Sequence, residues 1–247
     1  MLEVDNLIKE FGRARIIDSA ELKVGKNEIV SLVGPNGAGK TTLVNLISGH
    51  ILPTGGQIRF FEQEITYSSP YQRISKGIAR NFQITNLFDA NTVLENVRVC
   101  LFSVYGKLKS MILPADHYRE ITDEALNILE TFGLADRKDL LPTELAEGEK
   151  KILDSAMAFA LKPKFLLLDE PTSGVATNNK FKVMETIVSA LKKEQIACMI
   201  IEHDMDIVID YTERLLVISE GKIIATGNPR DVMDQTEVKE ILFGIGA

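Results

Sequence analysis

Short apolar runs closed by Gly, Asn or Pro recur along the chain, and their length suits strands better than helices. They predict strands near Leu2–Leu7, Glu28–Val33, Gln57–Phe61, Ile78–Phe82, Phe165–Leu168, Ile196–Ile201, Leu215–Ser219 and Lys222–Thr226. Ser219-Glu220-Gly221 between the last two is a turn signal, so those strands read as a hairpin. Helical periodicity lies between the strands. Ile121, Ala125, Ile128 and Phe132 make one stripe that stops at Gly133, and Phe181, Met184, Ile187, Val188 and Leu191 make another. Unbroken apolar strands alternating with helices predict an α/β fold with a mostly parallel sheet covered on both faces. From Thr92 to Leu161 there is no strand signal and several helix patterns, which predicts a helical insertion. The expected division is an α/β core with an N-terminal β part over residues 1–91 and 162–247, and a helical subdomain over 92–161.

The chain has 247 residues and a formal net charge of −7, so a sequence-independent grip on nucleic-acid backbone is not expected. Its longest apolar stretches, such as Met157–Leu161 and Ile196–Ile201, fall far short of the roughly 18 residues that span a bilayer. Glu3, Asp5, Lys9 and Glu10 in the first turns of sequence are unlike a secretory signal. The two cysteines, Cys100 and Cys198, are widely separated in apolar company, which predicts free buried thiols in a reducing compartment. His50 and His117 lack a second ligand at metal spacing and read as surface residues.

One segment carries chemistry outright. Gly34-Pro35-Asn36-Gly37-Ala38-Gly39-Lys40-Thr41-Thr42 follows an apolar strand and opens a helical pattern through Leu43, Leu46 and Ile47. Glycines let the backbone wrap a phosphate with successive N–H groups, and the helix N-terminus adds partial positive charge. Lys40 is placed to reach the β- and γ-phosphates and Thr41 to put its hydroxyl on Mg²⁺. A carboxylate should complete such a site. Phe165-Leu166-Leu167-Leu168 delivers Asp169 and Glu170 at a strand's C-terminal end, where ligands of open α/β sheets sit. Asp169 is predicted to bind Mg²⁺ through water and Glu170 to polarise an attacking water.

With these residues stand Gln83 in Asn81-Phe82-Gln83 and His203 in Ile201-Glu202-His203-Asp204-Met205. In order and spacing the set resembles the P-loop ATPases of the ATP-binding cassette family over essentially the whole chain. The resemblance implies a mixed-sheet core with a helical subdomain, ATP and Mg²⁺ as ligands, Gln83 as a further metal ligand and phosphate sensor, His203 as the switch histidine, and Phe11 as an adenine-stacking aromatic. Ile78–Gln83, Leu87-Phe88, Thr92–Val97 and the C-terminal Gly221-Lys222 and Gly227-Asn228-Pro229 are similar to ATP-binding subunits of branched-chain amino-acid importers. That likeness implies a cytoplasmic subunit, peripheral on the inner face of the cell membrane. Its partners would be transmembrane permease subunits, a second cassette and, indirectly, an extracytoplasmic substrate-binding protein, with no nucleic acid. Leu87 and Phe88 fall where the family receives the permease. Urea-type import, lipopolysaccharide export and an ATP-gated dimerising module with little hydrolysis stay open as alternatives.

The family's signature, Leu-Ser-x-Gly-Gln, reads here Leu145-Ala146-Glu147-Gly148-Glu149. The serine hydroxyl is replaced by a methyl, and two acids enter at a helix start that should face the partner's γ-phosphate. A carboxylate about 7 Å from one phosphate charge costs roughly 2 kcal/mol at an effective dielectric near 20. Lys150 and Lys151 are close enough in sequence to offset part of this. Ala176 stands where the family has an aspartate that crosses the dimer interface. Two readings follow: drift with activity intact, or an asymmetric pair in which this chain's own ATP site works with a different cassette.

Overall fold

In the computed structural model residues 1–81, 87–107 and 118–244 are described. The strands divide between two sheets. β1 (Leu2–Phe11), β2 (Ala14–Val24), β4 (Gly55–Phe60) and β5 (Gln63–Glu64) form an antiparallel sheet in the order β2-β1-β4-β5. The other sheet runs β10-β9-β3-β8-β7-β6, built from β3 (Ile29–Val33), β6 (Ile78–Arg80), β7 (Phe165–Asp169), β8 (Ala197–Ile201), β9 (Arg214–Ser219) and β10 (Lys222–Gly227). Its strands are parallel except β10, which pairs antiparallel with β9 as the predicted hairpin.

The second sheet is the mostly parallel one expected, the first is the N-terminal β part, and burial gives the reason for the two patterns. Every residue of β3, β7 and β8 is buried, whereas β1 and β4 mix buried with exposed or half-buried positions. In β7, Leu166 and Leu168 enter the core beneath the helices, while Phe165 and Leu167 enter the core shared with the antiparallel sheet. Successive side chains point to opposite faces, so a strand buried on both faces is apolar throughout. A strand covered on one face alternates.

Helix α1 (Lys40–Ser48) follows β3, α2 (Pro70–Lys76) precedes β6, and α6 (Thr177–Lys193), α7 (Met205–Tyr211), α8 (Pro229–Met233) and α9 (Thr236–Phe243) belong to the C-terminal half. The described residues between 92 and 161 hold α3 (Val93–Val104), α4 (Arg119–Thr131) and α5 (Glu147–Ala160), two short 3-10 turns and no strand. Thr92 and Glu95 start α3 with reciprocal cap hydrogen bonds. Val97, Ile121, Ala125, Leu129, Leu153 and Ala156 then close a core with Met184 and Ile187 of α6. Phe181, placed on the α6 stripe by periodicity, is instead half exposed beside Tyr211, with ring centroids 6.3 Å apart.

Candidate functional site

The phosphate loop is a sharp passage from β3 to α1. Gly34 lies so close to the end of β9 that a Cβ there would run into the Ile218 carbonyl. Gly39 has φ +104, and a Cβ on it would stand 2.9 Å from the Ile16 carbonyl; neither position tolerates a side chain. Gly39 caps α1 without a side-chain hydrogen bond, and no acid stands in the first helical turn. The N–H donors there therefore face the cleft with no internal anion, which fits a polyphosphate. Lys40 is buried, and its Nζ donates to the carbonyls of Gly34 at 2.6 Å and Pro35 at 3.0 Å, closing the loop on itself. Burial pushes its pKa down, and the charges of Glu170 and Asp169 work against that shift.

Across a cleft of about 470 Å³ stand Asp169 and Glu170 at the end of β7 and His203 after β8, with Thr41 and Ile16 also on its wall. Asp169 is buried; Arg80 Nη2 donates to its Oδ2 at 2.7 Å, and its backbone N–H donates to Asn81 Oδ1 at 2.7 Å. Glu170 has φ 49, a left-handed conformation that costs a non-glycine residue of order 1 kcal/mol or more. Its N–H donates to the Ile201 carbonyl at 2.9 Å, which ties the turn to β8. Its Oε1 lies 3.2 Å from His203 Nε2. An ionised carboxylate only accepts, so this contact uses the tautomer carrying its proton on Nε2.

Glu202 is buried just before the histidine. Its Oε1 accepts from Thr172 N–H at 2.9 Å and Thr172 Oγ1 at 2.7 Å, and its Oε2 accepts from His203 N–H at 3.2 Å. One buried carboxylate thus locks the loop after Glu170 to the loop that carries His203. Sequence reading passed over Glu202, Arg80, Asn81 and Ile16. An acid directly after an apolar buried strand, and a cation at the C-terminal end of β6, were the available signals.

Among the described residues no three His, Cys, Asp or Glu side chains gather as a metal site. Mg²⁺ is usually held by one or two carboxylates, waters and the substrate's phosphates. Thr41, exposed on the cleft wall, and Asp169 are the groups placed for it. Gln83 lies outside the described residues, as does His117. Phe11 ends β1, half exposed with Lys9 Nζ 4.8 Å above its ring, and Ile16 rather than Phe11 lines the cleft. His50 is exposed and takes a 2.8 Å hydrogen bond with Ser48 Oγ. Both cysteines are free: Cys198 is fully buried, Cys100 half-buried with its thiol pushed up to about 12 by burial and the Asp154 charge.

The residues Leu145–Glu149 stand apart from this cleft, at the start of α5. Leu145 is buried and Ala146 is the helix cap, without a side-chain oxygen to accept from the first-turn N–H groups. Glu149 folds back to accept from Ala146 N–H at 2.9 Å and pairs with Arg137 at 3.0 Å. Burial raises its pKa, but the Ala146 N–H and Arg137 outweigh that and hold it below the usual glutamate value. Glu147 contacts Lys150 at 3.5 Å. Gly148 leaves little room beside Val183, 3.2 Å from where a Cβ would sit. Ala176 caps α6, again with no side-chain acceptor.

A family model for ABC transporters matches residues 17–173, from β2 through the loop after Glu170. The chain belongs to the ABC transporter family. LivG of Escherichia coli K12, a high-affinity branched-chain amino acid transport ATP-binding protein, is 32% identical over 99% of this chain and 98% of its own length. LptB of Haemophilus influenzae, a lipopolysaccharide export system ATP-binding protein, is 32% identical over 99% and 97%. Among solved structures, MJ1267 in its ADP conformation, an ATP-binding cassette of an ABC transporter, superposes with a TM-score of 0.87 at 30% identity, covering 99% of each chain. The protein is thus an ABC transporter ATPase subunit, with the cassette's mixed α/β fold. No described helix is long and apolar enough to cross a membrane.

Proposed function

We propose that this ATPase subunit powers import of branched-chain amino acids from the inner face of the membrane, as one cassette of an unlike pair docked on transmembrane permease subunits. The observation that carries the chemistry is Glu170, held on left-handed backbone with Oε1 3.2 Å from His203 Nε2, facing Lys40 across one cleft. The loop N–H groups and Lys40 bind the phosphates. Glu170 accepts the proton of the attacking water, and His203, oriented by Glu202, holds Glu170 and reads the γ-phosphate. Thr41, Asp169 and Gln83 are the residues assigned to Mg²⁺, which when bound neutralises developing charge on the phosphate oxygens. Phe11 is assigned to the adenine.

The permease reading is supported by an apolar groove of about 340 Å³ between the core and the helical residues, lined by Phe88, Cys100, Met157 and Leu161 beside Arg80 and Asn81. Phe88 is half exposed there, while its neighbour Leu87 packs into the core. The substrate class rests on LivG; LptB, equally identical, favours export as the second reading. The unlike-pair reading rests on α5, where the N–H of the cap residue Ala146 is taken by the chain's own Glu149.

ATP hydrolysis by the chain alone, by Glu170→Gln, and by the co-purified complex tests this. Negligible turnover alone, strong turnover in the complex, and loss of about 10²–10⁴-fold in the Glu170→Gln complex with ATP binding kept are the expected results. Fast cooperative turnover by the isolated chain would remove the unlike pair. Proteoliposomes that hydrolyse ATP without accumulating leucine would remove the substrate class alone.

A further inference from the structure

Arg80 ends β6 with a side chain only 10% exposed, and it reaches two elements at once. Nη2 donates to Asp169 Oδ2 at 2.7 Å and Nη1 to Asn45 Oδ1 at 2.6 Å. Asn45 lies four residues beyond Thr41 on α1, so the two share a helix face. The next residue grips the same aspartate from behind: Asn81 Oδ1 accepts Asp169 N–H at 2.7 Å, and Asn81 N–H donates to the Leu167 carbonyl at 3.0 Å. Arg80 Nε is buried with no acceptor among the described residues, so the guanidinium is committed to the aspartate and the asparagine. Arg80 and Asn81 also form part of the wall of the apolar groove.

We propose that Arg80 is the positioning residue of the magnesium site, holding Asp169 and the Thr41 helix at one separation so that the carboxylate and the Thr41 hydroxyl would serve the same cation. This rests on the assignment of Thr41 and Asp169 to Mg²⁺. A guanidinium suits the task because its rigid fork serves two partners at once, which a lysine ammonium on a flexible stem does less well. Partners behind a metal ligand typically set metal affinity by about 10- to 100-fold. Arg80 thus lines the groove while holding an aspartate of the cleft wall, so a segment pressing on the groove meets the side chain that orients the carboxylate.

The test is titration of the full chain with a fluorescent ATP analogue in EDTA and in Mg²⁺, taking the ratio of the two affinities as the readout. In Arg80→Gln the ratio falls about tenfold while affinity in EDTA changes less than about twofold, and Arg80→Lys recovers part of the loss. Asn45→Ala, which leaves the buried ion pair intact, lowers the ratio about threefold. Removing one partner of a buried pair can unfold a protein. If Arg80→Gln loses nucleotide even in EDTA, Asn45→Ala decides: a lowered ratio upholds the proposal and an unchanged one overturns it. A wild-type magnesium gain that survives in all variants overturns the proposal alone. A wild type with no magnesium gain overturns the assignment of Thr41 and Asp169, and the proposal with it.

Discussion

Two helices in this chain begin at segments assigned to phosphate, and they begin in opposite ways. At α1 the cap is Gly39, no side chain accepts from the first N–H groups, no acid stands in the first turn, and Lys40 is buried over the loop carbonyls. At α5 the cap is Ala146, two acids stand in the first turn, and Glu149 takes the Ala146 N–H that a substrate oxygen could otherwise use. The helix dipole is the same at both. What differs is whether the chain has satisfied its own donors. An N-terminus left open binds an anion strongly; one that gives a donor to its own carboxylate, and sets that charge beside the rest, has traded part of that capacity for local stability.

The widest separation between the two should appear on removing their lysines. Lys40→Met takes a buried cation from the open terminus, and nucleotide affinity of the isolated chain should fall about 100-fold or more. Lys150→Met removes a half-exposed lysine whose partner is Glu147 on the same helix, an ion pair worth about 0–1 kcal/mol. Its effect on the chain's own nucleotide affinity should stay within about twofold. Isothermal titration with ATP measures both. Comparable losses in the two variants would mean that α5 contributes to the chain's own site, and the contrast would be gone.

A middle-sized effect comes from taking the charge off the start of α5. Ala146→Ser with Glu149→Gln restores a hydroxyl and removes a charge at the helix start. Steady-state hydrolysis by the isolated chain should rise several-fold and become cooperative in protein concentration, because each copy then offers a usable α5 to another. The charge alone is worth roughly 2 kcal/mol to a phosphate about 7 Å away. Arg137, which now pairs with Glu149, would be freed to add to that gain. Unchanged turnover would place the asymmetry elsewhere, with Ala176 at the start of α6 the next residue to restore.

The open terminus was legible in the sequence because everything it needs is local. A strand, a glycine loop, a lysine and a helix lie within one short run, and β7 announces Asp169 and Glu170 by four apolar residues. The closed terminus was half legible. Its acids were visible, but that Glu149 folds back on Ala146 and meets Arg137 depends on a turn twelve residues away. β2 escaped notice because Ser19, at φ 55, breaks the alternation: Ile17 and Ala20 are both buried, three apart, before Leu22 and Val24 resume the period of two. Asn6 does the same in β1. The strand order within each sheet was hidden because it is a long-range property. The Arg80–Asp169 pair joins residues 89 apart, so no spacing rule exposes it.

The smallest effect separates charge from hydrogen bonding at α5. Glu149→Gln keeps an acceptor for Ala146 N–H and removes the charge facing the dipole and Arg137, so at pH 7 it should cost a few tenths to 1 kcal/mol. The folded chain holds the Glu149 pKa below the ordinary glutamate value. Its charge therefore stabilises fully above that ordinary value, and the contribution is lost as pH falls through the folded pKa. Urea unfolding of wild type and Glu149→Gln at pH 7 and at successively lower pH should show the gap shrinking as acid is added. A gap that persists or widens would assign the cost to hydrogen-bond geometry rather than charge. No matching term exists at α1, whose first turn carries no acid. Stability gained by closing a helix start with a carboxylate is thus acid-labile, whereas α1 keeps its N-terminal donors for the phosphate.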